Sequence, residues 1–432
     1  MNYFDRSLPE KKLIENTLND IQGSLKSFYN EKINDDKFIR LHSSTLGQEE
    51  LLAFNQAYLE GNITVGKYNS EYENLAADYF DSKYCVTSNS GSSANLLGIS
   101  ALVQSGKLKE GDKVIVPSLC WSTTIFPLVQ YGLIPVFVDI SYEDFNLKLA
   151  DLEECVNDHE IKAIMIIHTY GNPVDMGFMV NFCNSKNLLL IEDTCESMGA
   201  KWDNKPVGSF GIIGTFSSYF SHHICTLEGG LTITNDFELN NLMRSIRSHG
   251  WTRGTNYNTK NIENIDILDP TFLFLNIGYN LRLSDPQAAM GCIQINKLDN
   301  YVNARTNNSN SYLKNIANST TLSKYIKTQK VNLGGKSSWF GFPVLFQTLN
   351  RHQVTLLRSK LLKKGVETRP FLAGDFTKQP VIKRFKHISY NLSNIDDFHN
   401  LSFALPCHQS LNDENVRYVC KCLDESLIEI VN

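Results

Sequence analysis

The sequence predicts an α/β protein built on a mainly parallel sheet, with a large domain followed by a smaller one. Three observations lead there. Short apolar runs alternate with helical patterns over the first 300 residues, as in a sheet covered on both faces. The length, 432 residues, exceeds what one hydrophobic core usually organises. After about residue 300 the alternation gives way to a long helical pattern and mixed segments. The expected division is a helical lead segment 1–45, a large domain 46–300 and a small domain 301–432.

Taken in order, an amphipathic helix is expected over 10–25, where Leu13, Ile14, Leu18, Ile21 and Leu25 share a stripe. A second helix over 48–59 stops at Glu60-Gly61-Asn62, and a third over 68–80 leads into a strand at 84–88. The stretch SNSGSSANLLGISA (88–101) places a small-residue turn at the head of an apolar helix. Amides of Gly91, Ser92 and Ser93 would be unpaired there, with the positive end of the helix dipole behind them, which suits a phosphate. Apolar strands follow at 113–117, 133–139, 163–168, 188–193, 214–220 and 231–234, with helices at 122–130 and 176–185 between. Beyond them come a long helix over 286–315, the mixed segment 337–346, a helix over 353–364 and a polar loop at 368–376.

Composition narrows the partners. Hydrophobic residues make up 42% and charged residues 20%, an ordinary globular balance, and the net charge of -5 offers nothing to nucleic acid or an anionic membrane. The start mixes charges with single apolar residues, and no apolar run approaches the ~18 residues of a membrane span. A cytoplasmic protein is expected. The ten cysteines are scattered without a Cys-x-x-Cys pair, so they read as reduced, structural thiols.

In a parallel sheet, ligands sit at the carboxyl ends of the strands. Trp121, Asp193 and the loop FSSYFSHHICTLEGG (216–230) fall there. A carboxylate at Asp193, just off a buried strand, can hold a heteroaromatic nitrogen protonated, as a pyridoxal-type ring needs in order to store electrons. Trp121 could stack on such a ring and Ser217 could add a hydroxyl to its phosphate. Each feature alone suits a structural role; together they converge on a phosphorylated aromatic cofactor.

The motifs SGSSAN (90–95), PSLCW (117–121), EDTCESMGA (192–200), the 216–230 loop and GYNLR (278–282) resemble, in order and spacing, the DegT/DnrJ/EryC1/StrS family. These are fold-type-I, aspartate-aminotransferase-like enzymes of pyridoxal phosphate, and the likeness runs from about residue 45 to the C-terminus. The resemblance implies a large cofactor domain, a small C-terminal domain and a homodimer that shares its active sites. In the aminotransferases of the family, a lysine six residues before the Glu of Glu-Gly-Gly forms a Schiff base with the cofactor. Here that register holds His222, and no lysine lies between Lys205 and Lys260. An imidazole cannot form a Schiff base, so ordinary transamination is not expected.

The substitution resembles the subgroup of 3-dehydratases of nucleotide-linked 4-keto-6-deoxyhexoses, which includes a type with an iron–sulfur cluster and one without. Of the four thiolates a cluster needs, Cys195 fits one, and residues 245–275 contain no cysteine. No cluster and no other metal is expected, and SHGWTR (248–253) is similar to the cluster-free type.

Pyridoxal or pyridoxamine phosphate bound non-covalently, a sugar-nucleotide substrate and glutamate as amino donor are what this resemblance implies. It gives His222 the acid/base role. Gly91, Ser92 and Ser217 go to the phosphate, Trp121, Asp193 and Glu196 to the ring, and Asn280 reaches in from the partner subunit. His249 and Arg369 go to substrate. His223, one place out of register, is read as packing. Two alternatives stay open: a 4-aminotransferase using free pyridoxamine phosphate, and a non-catalytic sugar-nucleotide-binding relative.

Overall fold

The computed structural model describes residues 38–431 other than 62, 258–268 and 270–271, together with Asn16. Apart from Asn16, the helix expected over 10–25 lies outside the described residues.

The first five strands are β1 (Tyr84–Ser88), β2 (Lys113–Pro117), β3 (Ile134–Val138), β4 (Ile161–Ile167) and β5 (Leu189–Asp193). Two short strands, β6 (Lys201–Trp202) and β7 (Lys205–Pro206), precede β8 (Ile213–Ser217) and β9 (Gly230–Thr234). The C-terminal third adds β10 (Ile326–Thr328), β11 (Gly335–Lys336), β12 (Phe342–Phe346), β13 (Arg369–Pro370), β14 (Ile388–Tyr390) and β15 (Ser402–Leu405). Eight of them form one sheet in the order β1-β9-β8-β5-β4-β2-β3-β14. Every adjacent pair from β8 to β14 is parallel, and β9 runs antiparallel to both its neighbours. A four-stranded sheet (β10-β12-β15-β13) and a three-stranded one (β11-β6-β7) complete the set.

The strands are apolar throughout because both faces are covered. Val114, Val116, Ala163, Met165 and Ile167 join one hydrophobic cluster, while Ile115, Ile164 and Ile166 join the cluster on the opposite face. That is the period-2 alternation of a strand serving two cores. On the first face, helix Gly91–Gln104 packs across β8 and β9, which brings its N-terminus to the carboxyl edge of the sheet.

Two buried carboxylates fix the loops around this frame. Glu192, fully buried in β5, accepts the N–H groups of Gly208 (2.7 Å), Phe210 (2.8 Å) and Gly211 (2.6 Å). His168 Nδ1 accepts from Val174 N–H, so its Nε2 carries the hydrogen and donates to Glu192 across 3.1 Å. Asp139 accepts three successive amides, Ser393 to Ile395, at the head of helix Ile395–Leu401.

Two features depart from expectation. The helix expected over 286–315 is two helices, Asp285–Ile295 and Leu298–Asn318. Lys297, at the break, is drawn to Glu49 (2.6 Å) and Glu50 (2.7 Å), a tertiary pull with no local breaker residue. The strand expected over 214–220 ends at Ser217, where the chain leaves the sheet and Ser218 N–H pairs with Gly229. All ten cysteines are free thiols; Cys420 and Cys422 are both buried, because helix Asp413–Val431 packs against helices on two sides.

Candidate active site

The carboxyl ends of β2, β5 and β8 open onto one cleft of about 760 Å³. Of the ten residues expected in the site, Gly91, Ser92, Trp121, Asp193, Glu196, Ser217, His222 and Arg369 line it. No lysine does, among the described residues.

At the cleft floor Ser90 caps helix Gly91–Gln104 by accepting Ser93 N–H (3.0 Å). The Ser93 amide is therefore taken, and those of Gly91 and Ser92 remain for a ligand. Only glycine fits at 91: a Cβ there would lie 2.6 Å from Ser217 Cβ and 3.0 Å from Cys195 Sγ. Gly91→Ala is expected to push these groups apart and weaken binding of a phosphorylated ring at least about ten-fold, the loss of one charge-assisted hydrogen bond. An absorbance titration of the folded variant with pyridoxal phosphate measures it, and unchanged affinity would refute the assignment.

Asp193 is 5% exposed at the end of β5. Its Oδ2 accepts from Asn95 Nδ2 (2.8 Å) and Thr124 Oγ1 (2.7 Å), and Oδ1 from Cys195 N–H (3.2 Å). The carboxylate is thus held rigidly, as orienting a ring nitrogen demands. Trp121, 47% exposed, forms the wall beside it, with the Arg369 guanidinium 5.7 Å over its ring. Among the described residues Arg369 has no ion-pair partner. Glu196 Oε2 is buried without a partner. Burial pushes its pKa up to about 7, Arg369 opposes this and Asp193 adds to it.

The histidine pair divides. His222 makes no side-chain hydrogen bond among the described residues, and its Nδ1 is buried without a partner. Its ring packs against Phe340 (4.9 Å between centroids) and Tyr219 (5.8 Å). Burial, then the charges of Arg369 and Arg305, hold its pKa down to about 3, so the imidazole is neutral at ordinary pH. His223 is fully buried, and its Nε2–H donates to the Ser338 carbonyl (3.1 Å). That is a packing residue's environment.

His249 and Asn280 do not line this cleft. Both are exposed, on neighbouring chain segments tied by a Ser248–Asn280 bridge and by His249 N–H to Tyr279 O (2.7 Å).

Sequence reasoning passed over several groups here. Asn95 and Thr124 orient Asp193, and Tyr170, Tyr219, Phe220 and Phe340 supply the aromatic lining. Leu41, His42 and Glu367 stand at the mouth; Leu41 N–H donates to Glu367 (2.9 Å), and His42 meets Phe220 edge-on at 4.6 Å. The only sequence signal for this strap was the cluster of three apolar residues, Phe38, Ile39 and Leu41, around Arg40.

The residues present fit a phosphorylated pyridine: two open amides beside a serine, no room for a Cβ, and a fixed carboxylate in the same cleft. What such a sheet edge receives is pyridoxal phosphate, and the class is the fold-type-I enzymes that depend on it. Within that class the chain belongs to the DegT/DnrJ/EryC1/StrS aminotransferase family, whose pattern matches residues 44–424.

Among its relatives is the GDP-4-keto-6-deoxy-D-mannose 3-dehydratase of Yersinia pseudotuberculosis. It is 40% identical over 350 residues, 80% of this chain and 87% of that protein. The enzyme of the same name from Escherichia coli O55:H7 is 38% identical over 83% of this chain and 91% of its own. A crystal structure of GDP-4-keto-6-deoxymannose-3-dehydratase with a trapped PLP-glutamate geminal diamine superposes with a TM-score of 0.82. Identity there is 36%, covering 89% of this chain and 99% of that one.

Proposed function

We propose that the chain is a pyridoxamine-phosphate-dependent 3-dehydratase of a nucleotide-linked 4-keto-6-deoxyhexose, GDP-4-keto-6-deoxymannose being the substrate its relatives act on. The observation that carries the reading is His222: among the described residues, a neutral imidazole without a side-chain hydrogen bond stands in the lysine's register, in a cleft lined by no lysine. Bound as pyridoxamine phosphate, the cofactor supplies an amine for the C4 ketone and a ring that stores the electron pair left when a proton departs.

This chain's residues do the rest. Asp193 holds the ring nitrogen protonated. Gly91, Ser92 and Ser217 hold the phosphate. Trp121 stacks on the ring and Glu196 faces its edge. His222, neutral at the outset, takes the proton from the cofactor carbon and returns it to the C3 hydroxyl as that group leaves as water. Arg369, which forms no ion pair among the described residues, is available to a substrate phosphate.

Replacing C3–OH by C3–H is a two-electron reduction, and glutamate supplies the electrons. Over a full cycle the keto sugar and glutamate give the 3-deoxy keto sugar, 2-oxoglutarate and ammonia, the water lost at C3 being balanced by the water that releases nitrogen. We further propose a cytoplasmic homodimer in which His249 and Asn280 complete the partner's site; Phe272 (64% exposed), Phe274 (53%) and Ile277 (78%) beside them form an apolar surface that suits a subunit interface.

Incubating the protein with GDP-4-keto-6-deoxymannose, pyridoxal phosphate and glutamate tests the reaction. Mass spectrometry should find a product lighter by one oxygen, with ammonia and 2-oxoglutarate formed one per turnover. A product that keeps nitrogen at C4 would sink the proposal in favour of an aminotransferase.

A further inference from the structure

Helix Leu298–Asn318 carries Arg305, which is 2% exposed and, among the described residues, faces no carboxylate. A buried cation without a counter-charge is costly and needs a reason. Its Nη1 donates to the carbonyl oxygens of Trp339 (3.1 Å), Phe340 (3.1 Å) and Cys407 (3.4 Å), and Nη2 to Gln409 Oε1 (3.3 Å). Burial pushes its pKa down to about 10, which leaves it charged at neutral pH.

The segment it grips is the wall behind the histidines. Trp339 sits at φ +51°, a left-handed conformation that bulky residues avoid. From the other side, Ser338 N–H and Phe340 N–H donate to Gly171 O (3.0 Å) and Tyr170 O (2.9 Å), a turn that is itself left-handed at φ +54° and +89°. The approach is tight: a Cβ on Gly171 would lie 2.6 Å from the Trp339 nitrogen. Two strained turns are thus pinned face to face, with Arg305 behind one of them. From that turn the Ser338 carbonyl takes the His223 hydrogen, and the Phe340 ring lies against His222.

We propose that Arg305 is a positioning residue for the reaction: its guanidinium clamps the strained Trp339–Phe340 turn so that the Phe340 ring holds the His222 imidazole in its reactive orientation. Among the described residues the His222 imidazole has no hydrogen bond to orient it, so ring packing is what remains to do so. The inference rests on the reading of His222 as the proton carrier.

Arg305→Lys keeps the charge but loses the planar group whose Nη1 reaches the Trp339 and Phe340 carbonyls while Nη2 is fixed on Gln409. It is expected to lower kcat at least about ten-fold, since a proton carrier displaced by a fraction of an ångström loses its alignment. KM for the sugar nucleotide and affinity for pyridoxal phosphate should stay within about two-fold, because Arg305 does not line the cleft. Phe340→Leu, with the clamp intact, should show the same split. The double variant should be no slower than the slower single one, because both changes undo one arrangement. Losses that multiply, or an unchanged kcat in either single variant, would overturn the proposal. Should Arg305→Lys fail to fold, Phe340→Leu decides alone by the same split. His222→Asn separates this inference from its premise. If His222→Asn is inactive while both other variants are fully active, only the clamp fails; if His222→Asn is fully active, the premise itself is wrong.

Discussion

His222→Asn is expected to reduce 3-deoxygenation about a thousand-fold, within the range that a single positioned acid/base supplies. On the scale of the activation barrier that is about 4 kcal/mol. Asparagine is close in size and keeps a polar end, but it cannot carry a proton. The fold should tolerate the change, since the imidazole makes no side-chain hydrogen bond and contributes only its packing on Phe340 and Tyr219. Binding of pyridoxal phosphate should survive, because Gly91, Ser92, Ser217 and Asp193 lie on other elements. The measurement is turnover with GDP-4-keto-6-deoxymannose and glutamate, beside an absorbance titration with the cofactor. A variant within ten-fold of the parent would remove His222 from the chemistry. Loss of cofactor binding along with activity would make it a structural residue.

How far this site could be read from the chain depended on where each residue's information lay. The parallel strands were legible because burial on both faces demands runs such as Val114–Val116 and Ala163–Ile167, which no surface element would carry. His222 was legible only through the family resemblance, which sets a lysine six places before Glu228, and the fold does bring that position to the cleft. Strand β14 was not: three residues, Ile388–Tyr390, join the sheet edge by pairing with Val136–Val138, some 250 positions earlier in the chain. Nor was the partnership of Asn95 and Thr124 with Asp193, because it exists only once two helix N-termini meet over one strand end. His42 is brought to the cleft by contacts with distant segments, the Ile39–Val366 bridge and Leu41 N–H to Glu367 among them, and nothing local announces it. Residues placed by a local register were readable; those placed by packing between distant elements were not.

The second large effect is expected at Asp193, where Asp193→Asn should lower turnover on the order of a thousand-fold by removing the charge that keeps the cofactor ring protonated. The reason lies in how the carboxylate is held. Oδ2 accepts from both Asn95 Nδ2 and Thr124 Oγ1, so an asparagine would turn its one carbonyl oxygen to that side. Its amide hydrogens would then face the Cys195 N–H and the ring nitrogen, donor against donor. A ring nitrogen in that setting accepts a hydrogen bond and stays unprotonated, and the ring no longer stores charge. Cofactor affinity should fall far less than kcat, since the partners proposed for the phosphate, Gly91, Ser92 and Ser217, are left in place. The absorption band of the bound cofactor reports ring protonation directly and should shift in the variant. If the band and kcat are both unchanged, Asp193 does not touch the ring, and its buried hydrogen bonds serve only to tie β5 to the two helices beside it.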